Sequence, residues 1–150
     1  ITLNPIQVSL NSFLKSIHKL NTHRMIKHDC EFELIIHGDV QVRMDLTKMQ
    51  RVVQNILNNA MHAVTDCRQI TLEGGLIDGA PQIVVRDKGK GMDQDSVINV
   101  FEPFFTKGKV DGTGLGMAIV KNIVEGHGAT ISVVSEISRG SEFRIKFSSI

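Results

Sequence analysis

Three stretches of this chain carry residue types and spacings suited to chemistry. In "QNILNNAMHA", Asn55 and Asn59 stand four apart, so on a helix both side chains leave one face, and His62 continues the line three residues on. Asparagine is a mediocre helix former, yet Gln54, Asn55, Asn58 and Asn59 crowd one short segment. Neutral amide oxygens suit a hard cation, because they do not repel phosphates as carboxylates would. A solvated polar face is the plainer explanation of the same residues.

In "VVRDKGKGM", a β-type run ends at Asp87, and Gly89 and Gly91 follow at alternate positions. A carboxylate at a strand end can accept from an exocyclic amine, as acidic residues do from base edges. The glycines would let backbone approach a flat ring closely. The alternative is a tight turn with a solvated Asp. A calcium loop fits less well, since the alternating oxygen ligands are missing.

The third stretch is "FFTKGKVDGTGLGMAIV", Phe104 to Val120. Its "GTGLG" leads into a helix, so backbone N–H groups there would meet phosphate oxygens at the positive helix end. No G-K-[ST] ending makes it a Walker A loop, and Gly112, Gly114 and Gly116 lack the G-x-G-x-x-G spacing of a dinucleotide fingerprint. Ahead of it, "FEPFFTK" sets Phe101, Phe104 and Phe105 around Pro103, as an anchor for one end of a lid or as ordinary packing.

The elements that must position these stretches follow from periodicity. Phe13, Leu14, Ile17 and Leu20 predict a helix from Asn11 to about Lys27, after an extended "PIQVSL". "CEFELIIHGDVQVRM" alternates as one or two strands, broken at Gly38-Asp39. Asp45 is a plausible N-cap for a second helix, whose stripe is Leu46, Met49, Val53, Ile56, Leu57, Ala60 and Val64. "RQITLEGGLI" and "PQIVVRD" read as paired strands around "DGAP". A third helix spans about Thr113 to Glu125 and stops at Gly126 and Gly128. "ATISVVSE" and "SEFRIKF" close the chain as strands. Helices alternating with hairpins predict one sheet with helices packed on one face.

The chain has 150 residues, 41% of them hydrophobic, which suits one domain over residues 1–150. Seventeen basic and sixteen acidic residues give a net charge of +1, so neither a broad nucleic-acid surface nor an anionic membrane partner is indicated. Cys30 and Cys67 read as two thiols in a reducing compartment. No run approaches the ~20 apolar residues of a membrane span. The start at Ile1, without Met, reads as a piece of a longer protein and leaves room for an upstream membrane segment.

The order of motifs resembles the ATP-binding catalytic domain of bacterial sensor histidine kinases, of the Bergerat-fold group that includes gyrase, Hsp90 and MutL. "NILNNA" is similar to that family's N box, "DKGKGM" to its G1 box, "FEPFFTK" to its F box and "GTGLGMAIVKNIVEGHG" to its G2 box. "FEPFFTK" with "NAMHA" leans toward the nitrogen-regulator-like branch. The resemblance covers nearly the whole chain. It implies an α+β fold, a two-layer sandwich with a mixed, mostly antiparallel sheet and about three helices on one face, and an ATP pocket between the layers.

Carried over by position, Asp87 would bind the adenine amino group, and Gly91 and Met92 would shape the base pocket. Ser141 would help there through a water. Asn59 would ligate Mg2+, with Asn55 beside it positioning metal and phosphates. Thr106 and Lys107 would reach the phosphates from the lid, and Gly112, Thr113, Gly114, Leu115, Gly116 and Met117 would contact them from the glycine-rich turn. His62, Ala63, Gly89 and Phe105 complete the implied nucleotide site, with Asn55, Asn59 and Lys107 as its catalytic residues.

Some departures matter. The gyrase-like ATPases carry a catalytic Glu where this chain has Asn55, and an amide cannot act as a general base, so transfer to another nucleophile is more natural than hydrolysis. His62 stands where many members have Lys or Arg, and a partly neutral imidazole holds phosphate less firmly at pH 7. The family's phosphoacceptor histidine precedes an acid on an upstream helical hairpin. Here only His28 precedes one, Asp29, and "CEFE" then begins a strand, so the acceptor is expected outside this chain. The implied partners are that dimerisation and phosphoacceptor domain and, through it, a response regulator receiver domain. The implied location is the cytoplasm, in a free or membrane-anchored sensor. The competing readings are a Bergerat ATPase, an anti-sigma-type serine kinase, or a non-catalytic nucleotide-sensing module.

Overall fold

A computed structural model describes residues 2–64, 68–105 and 116–148. Strand β1 (Ile6–Ser9) runs directly into helix α1 (Leu10–Lys27), because Ser9 turns the chain: its hydroxyl accepts the N–H of Ser12 at 3.1 Å. Phe13, Leu14 and Ile17 of α1 are buried as the spacing predicts, together with Leu10, Asn21 and Met25, whereas Leu20, expected on the same face, is exposed to solvent. Strands β2 (Glu31–Ile36) and β3 (Gln41–Met44) follow, split at the predicted break.

Helix α2 (Leu46–Ala63) begins at Asp45, whose carboxylate accepts the N–H of Lys48 at 3.0 Å. Its apolar stripe is buried from Met49 to Ala60, and Val64 just beyond it is buried too. Strands β4 (Gln69–Ile77) and β5 (Ala80–Asp87) form the expected hairpin. Then come α3 (Gln94–Asn99), α4 (Gly116–Gly126), β6 (Thr130–Glu136) and β7 (Gly140–Lys146). Past α4, Gly128 takes φ +72° while its N–H donates to Glu125 O, the left-handed stop that the two glycines announced.

The main sheet has the order β2-β4-β5-β7-β6, with β2 and β4 parallel and every other pair antiparallel. Its register stacks rows across the strands. Gly74, Ile83, Ile145 and Ile131 make one row, and Leu72, Val85, Phe143 and Val133 the next. The last row is Ile70, Asp87, Ser141 and Ser135. The first two rows sit under the helices, where burial of each large apolar side chain stabilises the fold by roughly 1.5–3 kcal/mol. The third ends that apolar surface with polar groups.

The opposite face of the sheet is polar. Arg86 bridges Glu73 and Glu142, and Arg144 contacts Glu142 and Gln82. Two elements go beyond the sequence reading. β1 and β3 form a separate antiparallel ribbon, and α3 is a fourth, short helix capped by Asp93, which accepts the N–H of Ser96 at 2.7 Å. Neither has a long periodic pattern: each is held by pairing or by its cap. Cys30 is buried with a free thiol, and Cys67 lies outside the described residues. No helix among the described residues is long and apolar enough to cross a membrane.

Candidate functional site

The polar row of the sheet builds the site. Asp87 is the last residue of β5 and is 7% exposed. Its Oδ1 accepts the N–H of Gly89 at 2.8 Å, and the carboxylate also accepts from the backbone N–H of Ser141. Burial pushes the Asp87 carboxyl above its ordinary range, and these two bonds only partly offset that. A carboxylate kept in so dry a place gains from a donor brought to it.

Glycines set the loop after Asp87, for a steric reason beyond the one read in sequence. A Cβ on Gly89 would stand 2.3 Å from Ala63 O, and one on Gly91, at φ +70°, would stand 2.0 Å from Glu136 O. A side chain at either position would strike neighbouring backbone. The loop is clamped on both sides: Lys90 N donates to Ala63 O at 2.9 Å, and Ser138 N donates to Lys90 O at 2.8 Å. Gly140 is equally constrained, at φ +102° with a Cβ position 2.0 Å from Asp87 O. That glycine lets β7 close on the end of β5, which places Ser141 beside Asp87.

Above the row lies a cavity of about 90 Å³. Asn59, His62 and Ala63 of α2 line one side, and Asp87, Gly91, Met92 and Ser141 line the other. Seven residues singled out in sequence thus meet around one cavity. Lys90, Val100 and Phe143 also line it and were not singled out. Phe143 is held from behind by Phe101, an edge-on pair with centroids 6.3 Å apart. Phe101 thus anchors the Phe-rich segment, while Phe104 is 73% exposed with φ 66°. Phe105 is half-buried, and its N–H donates to Glu102 O at 3.3 Å.

The second part of the site lies where α2 meets α4. Asn55 Nδ2 donates to Gly116 O at 3.4 Å, so one of the paired asparagines touches the start of α4 while the other lines the cavity. Met117, next along, is buried in the core. Asn58 serves its own helix: its carbonyl oxygen accepts from His62 Nδ1 at 2.8 Å, and its side chain accepts from Gln54 at 3.2 Å. Asn55, Gly89, Phe105, Gly116 and Met117 are not in the cavity wall. Thr106, Lys107, Gly112, Thr113, Gly114 and Leu115 lie outside the described residues.

Ser135 was missed in sequence. Its oxygen accepts the N–H of Met92 at 2.8 Å and lies 2.8 Å from the Ser141 oxygen. A polar residue at the inward position of "ISVVSE", after Ile131 and Val133, was the available signal.

A nucleotide with a divalent cation suits these groups. The cavity offers a buried acceptor at its floor, apolar walls and the amide of Asn59 on one side. Among the described residues no cluster of three or more His, Cys, Asp or Glu could hold a metal, and the group at this cavity suited to a hard cation is the neutral amide oxygen of Asn59.

Comparison with known proteins agrees. The family of histidine kinase-, DNA gyrase B- and HSP90-like ATPases matches residues 44–149. The sensor histidine kinase ZraS of Salmonella typhi is 38% identical over 143 residues, covering 92% of this chain and 30% of that protein. The chain spans less than a third of the length of the ZraS relatives it matches. A full-length ShkA structure in complex with AMPPNP superposes with TM-score 0.86 at 25% identity, over 98% of this chain and 31% of that one. The mycobacterial sensor histidine kinase MprB superposes with TM-score 0.80 at 28% identity, over 96% and 97% of the two chains.

Proposed function

The chain belongs to the histidine kinase-, DNA gyrase B- and HSP90-like ATPase family, as the ATP-binding catalytic domain of a sensor histidine kinase, and we propose that its cavity seats the adenine of Mg-ATP and that its γ-phosphoryl passes to a histidine on an upstream dimerisation domain. From there the phosphoryl group would go to a response regulator receiver domain, in the cytoplasm. The observation that carries this reading is the buried Asp87 carboxylate at the floor of an apolar cavity, with Asn59 at the other side.

Each residue has a physical task. Asp87 accepts from the adenine amino group, a bond strengthened by burial. Met92, Val100 and Phe143 exclude water from the ring. Asn59 presents its amide oxygen to the cation, and Asn55 braces the start of α4. When bound, Mg2+ would neutralise charge on the phosphates, which is most of what phosphoryl transfer asks of a protein. Thr106, Lys107 and the turn from Gly112 to Met117 would supply the remaining phosphate contacts. Asn55 is no general base, so water is not activated and a histidine nucleophile supplied in trans is favoured over hydrolysis.

The experiment is phosphotransfer. Labelled ATP and Mg2+ are mixed with this domain and a separately produced phosphoacceptor domain of a related kinase. Label on the acceptor histidine, dependent on Asn59, supports the reading. Free phosphate with no labelled acceptor would favour an ATPase instead.

A further inference from the structure

The Ser135 hydroxyl has three polar neighbours: Met92 N at 2.8 Å, Gly140 O at 3.0 Å and Ser141 Oγ at 2.8 Å. A hydroxyl has one proton and two lone pairs, and these partners settle how each is used. Met92 N–H only donates, so it takes one lone pair. The Gly140 carbonyl only accepts, so it takes the proton. What remains for Ser141 is the second lone pair, and Ser141 must therefore be the donor. No other assignment makes all three bonds.

The consequence lies in the cavity. With its proton turned along the strand row toward Ser135, Ser141 offers the cavity lone pairs. Asp87, its neighbour in the same row, already accepts the N–H groups of Gly89 and Ser141, and as a carboxylate it too only accepts. We infer that Ser135, which does not line the cavity, is a positioning residue for nucleotide specificity. By engaging the proton of Ser141, it leaves a floor that accepts from a 6-amino group and offers no donor to a 6-oxo oxygen, which selects the 6-amino purine where the floor meets that substituent. This rests on the nucleotide reading of the cavity and adds to it a residue and a proton arrangement. Without the Ser135 hydroxyl, the Ser141 O–H is free to rotate and donate to a 6-oxo oxygen.

The test compares metal-free binding of ATP and inosine triphosphate by calorimetry, for the wild type, Ser135→Ala, Ser135→Thr and Ser141→Ala. The wild type is expected to prefer ATP. Ser135→Ala should cut that preference by about tenfold, within what one directed hydrogen bond discriminates, and Ser135→Thr, which keeps the hydroxyl, should restore it. Ser141→Ala leaves Ser135 its bonds to Met92 and Gly140, so it reports on the floor even if Ser135→Ala does not fold. A smaller fall in preference is expected there, because an acceptor is lost from the floor but no donor is created. An equal loss of both nucleotides in Ser135→Ala, or an unchanged ratio in Ser141→Ala, would overturn the inference. A wild type that binds neither nucleotide would overturn the reading on which it rests.

Discussion

His127 Nε2 accepts the backbone N–H of Asp45 at 3.0 Å, across 82 positions of sequence. The other ring nitrogen, Nδ1, faces Ile123 O at 2.8 Å, so it carries the proton. The end of α4 is thereby tied to the cap of α2. At the far end of α4, Gly116 O meets Asn55 of the same helix α2. Two helices that carry the paired asparagines and the glycine-rich turn are thus pinned to each other at both ends of α4.

Removing that pin should loosen the pair. His127→Ala leaves the Asp45 N–H without its acceptor, and we expect a loss of about 1–3 kcal/mol in urea unfolding. A change within about 0.5 kcal/mol, the range of an ordinary surface substitution, would show that the contact does not hold the helices.

Gly140 should be among the least replaceable glycines. Gly140→Ala forces a Cβ to within 2.0 Å of Asp87 O at φ +102°, so β7 must part from the end of β5. We expect more than ~2 kcal/mol of destabilisation, together with loss of nucleotide binding. Gly79 is the control: its φ is +79° but nothing lies within 4 Å of a Cβ there. Gly79→Ala should therefore show only the left-handed cost of about 1–2 kcal/mol, with binding kept. Equal effects at the two positions would contradict the account.

Asp87 links stability to pH with a definite sign. Its pKa in the folded protein is raised, chiefly by burial. The folded state therefore holds that proton more tightly than the unfolded chain. Its contribution favours the fold below the unfolded value near ~3.9 and is lost as pH rises through the raised folded value. Asp87→Asn should accordingly make the ligand-free protein more stable at pH 7 in thermal unfolding. Nucleotide affinity should run the other way with pH, falling on acidification before an ordinary carboxylate would titrate. A less stable Asp87→Asn protein at pH 7 would contradict the burial argument.

Asn59 and Asn55 should separate. Asn59→Ala is expected to remove the Mg2+-dependent gain in ATP-analogue affinity and to cut transfer by at least about tenfold, while metal-free binding changes little. Loss of metal-free binding to the same degree would place Asn59 on the base rather than on the cation.

Much of this was legible because periodicity and capping are local. The stripe from Met49 to Ala60 and the Asp45 cap specify α2, and two strands flanking "DGAP" specify the β4–β5 hairpin. Asp87 was legible as a carboxylate ending an apolar strand. The β1–β3 ribbon was not, because four-residue strands declare themselves only through a partner more than thirty positions away. Ser135 was hidden by a register that sequence does not reveal: it matters because it stands opposite Ser141, which stands opposite Asp87. The second constraint on Gly89 and Gly91 was hidden for the same reason, since the backbones they avoid, Ala63 and Glu136, are distant in sequence.

The most direct measurement is calorimetric titration of a non-hydrolysable ATP analogue into the wild type and Asp87→Asn, with and without Mg2+. The account predicts binding by the wild type that changes with Mg2+. It also predicts at least tenfold weaker binding by Asp87→Asn, as loss of one charge-assisted hydrogen bond of ~1.5–3 kcal/mol requires. Wild-type affinity in Asp87→Asn would contradict the assignment of the cavity to adenine.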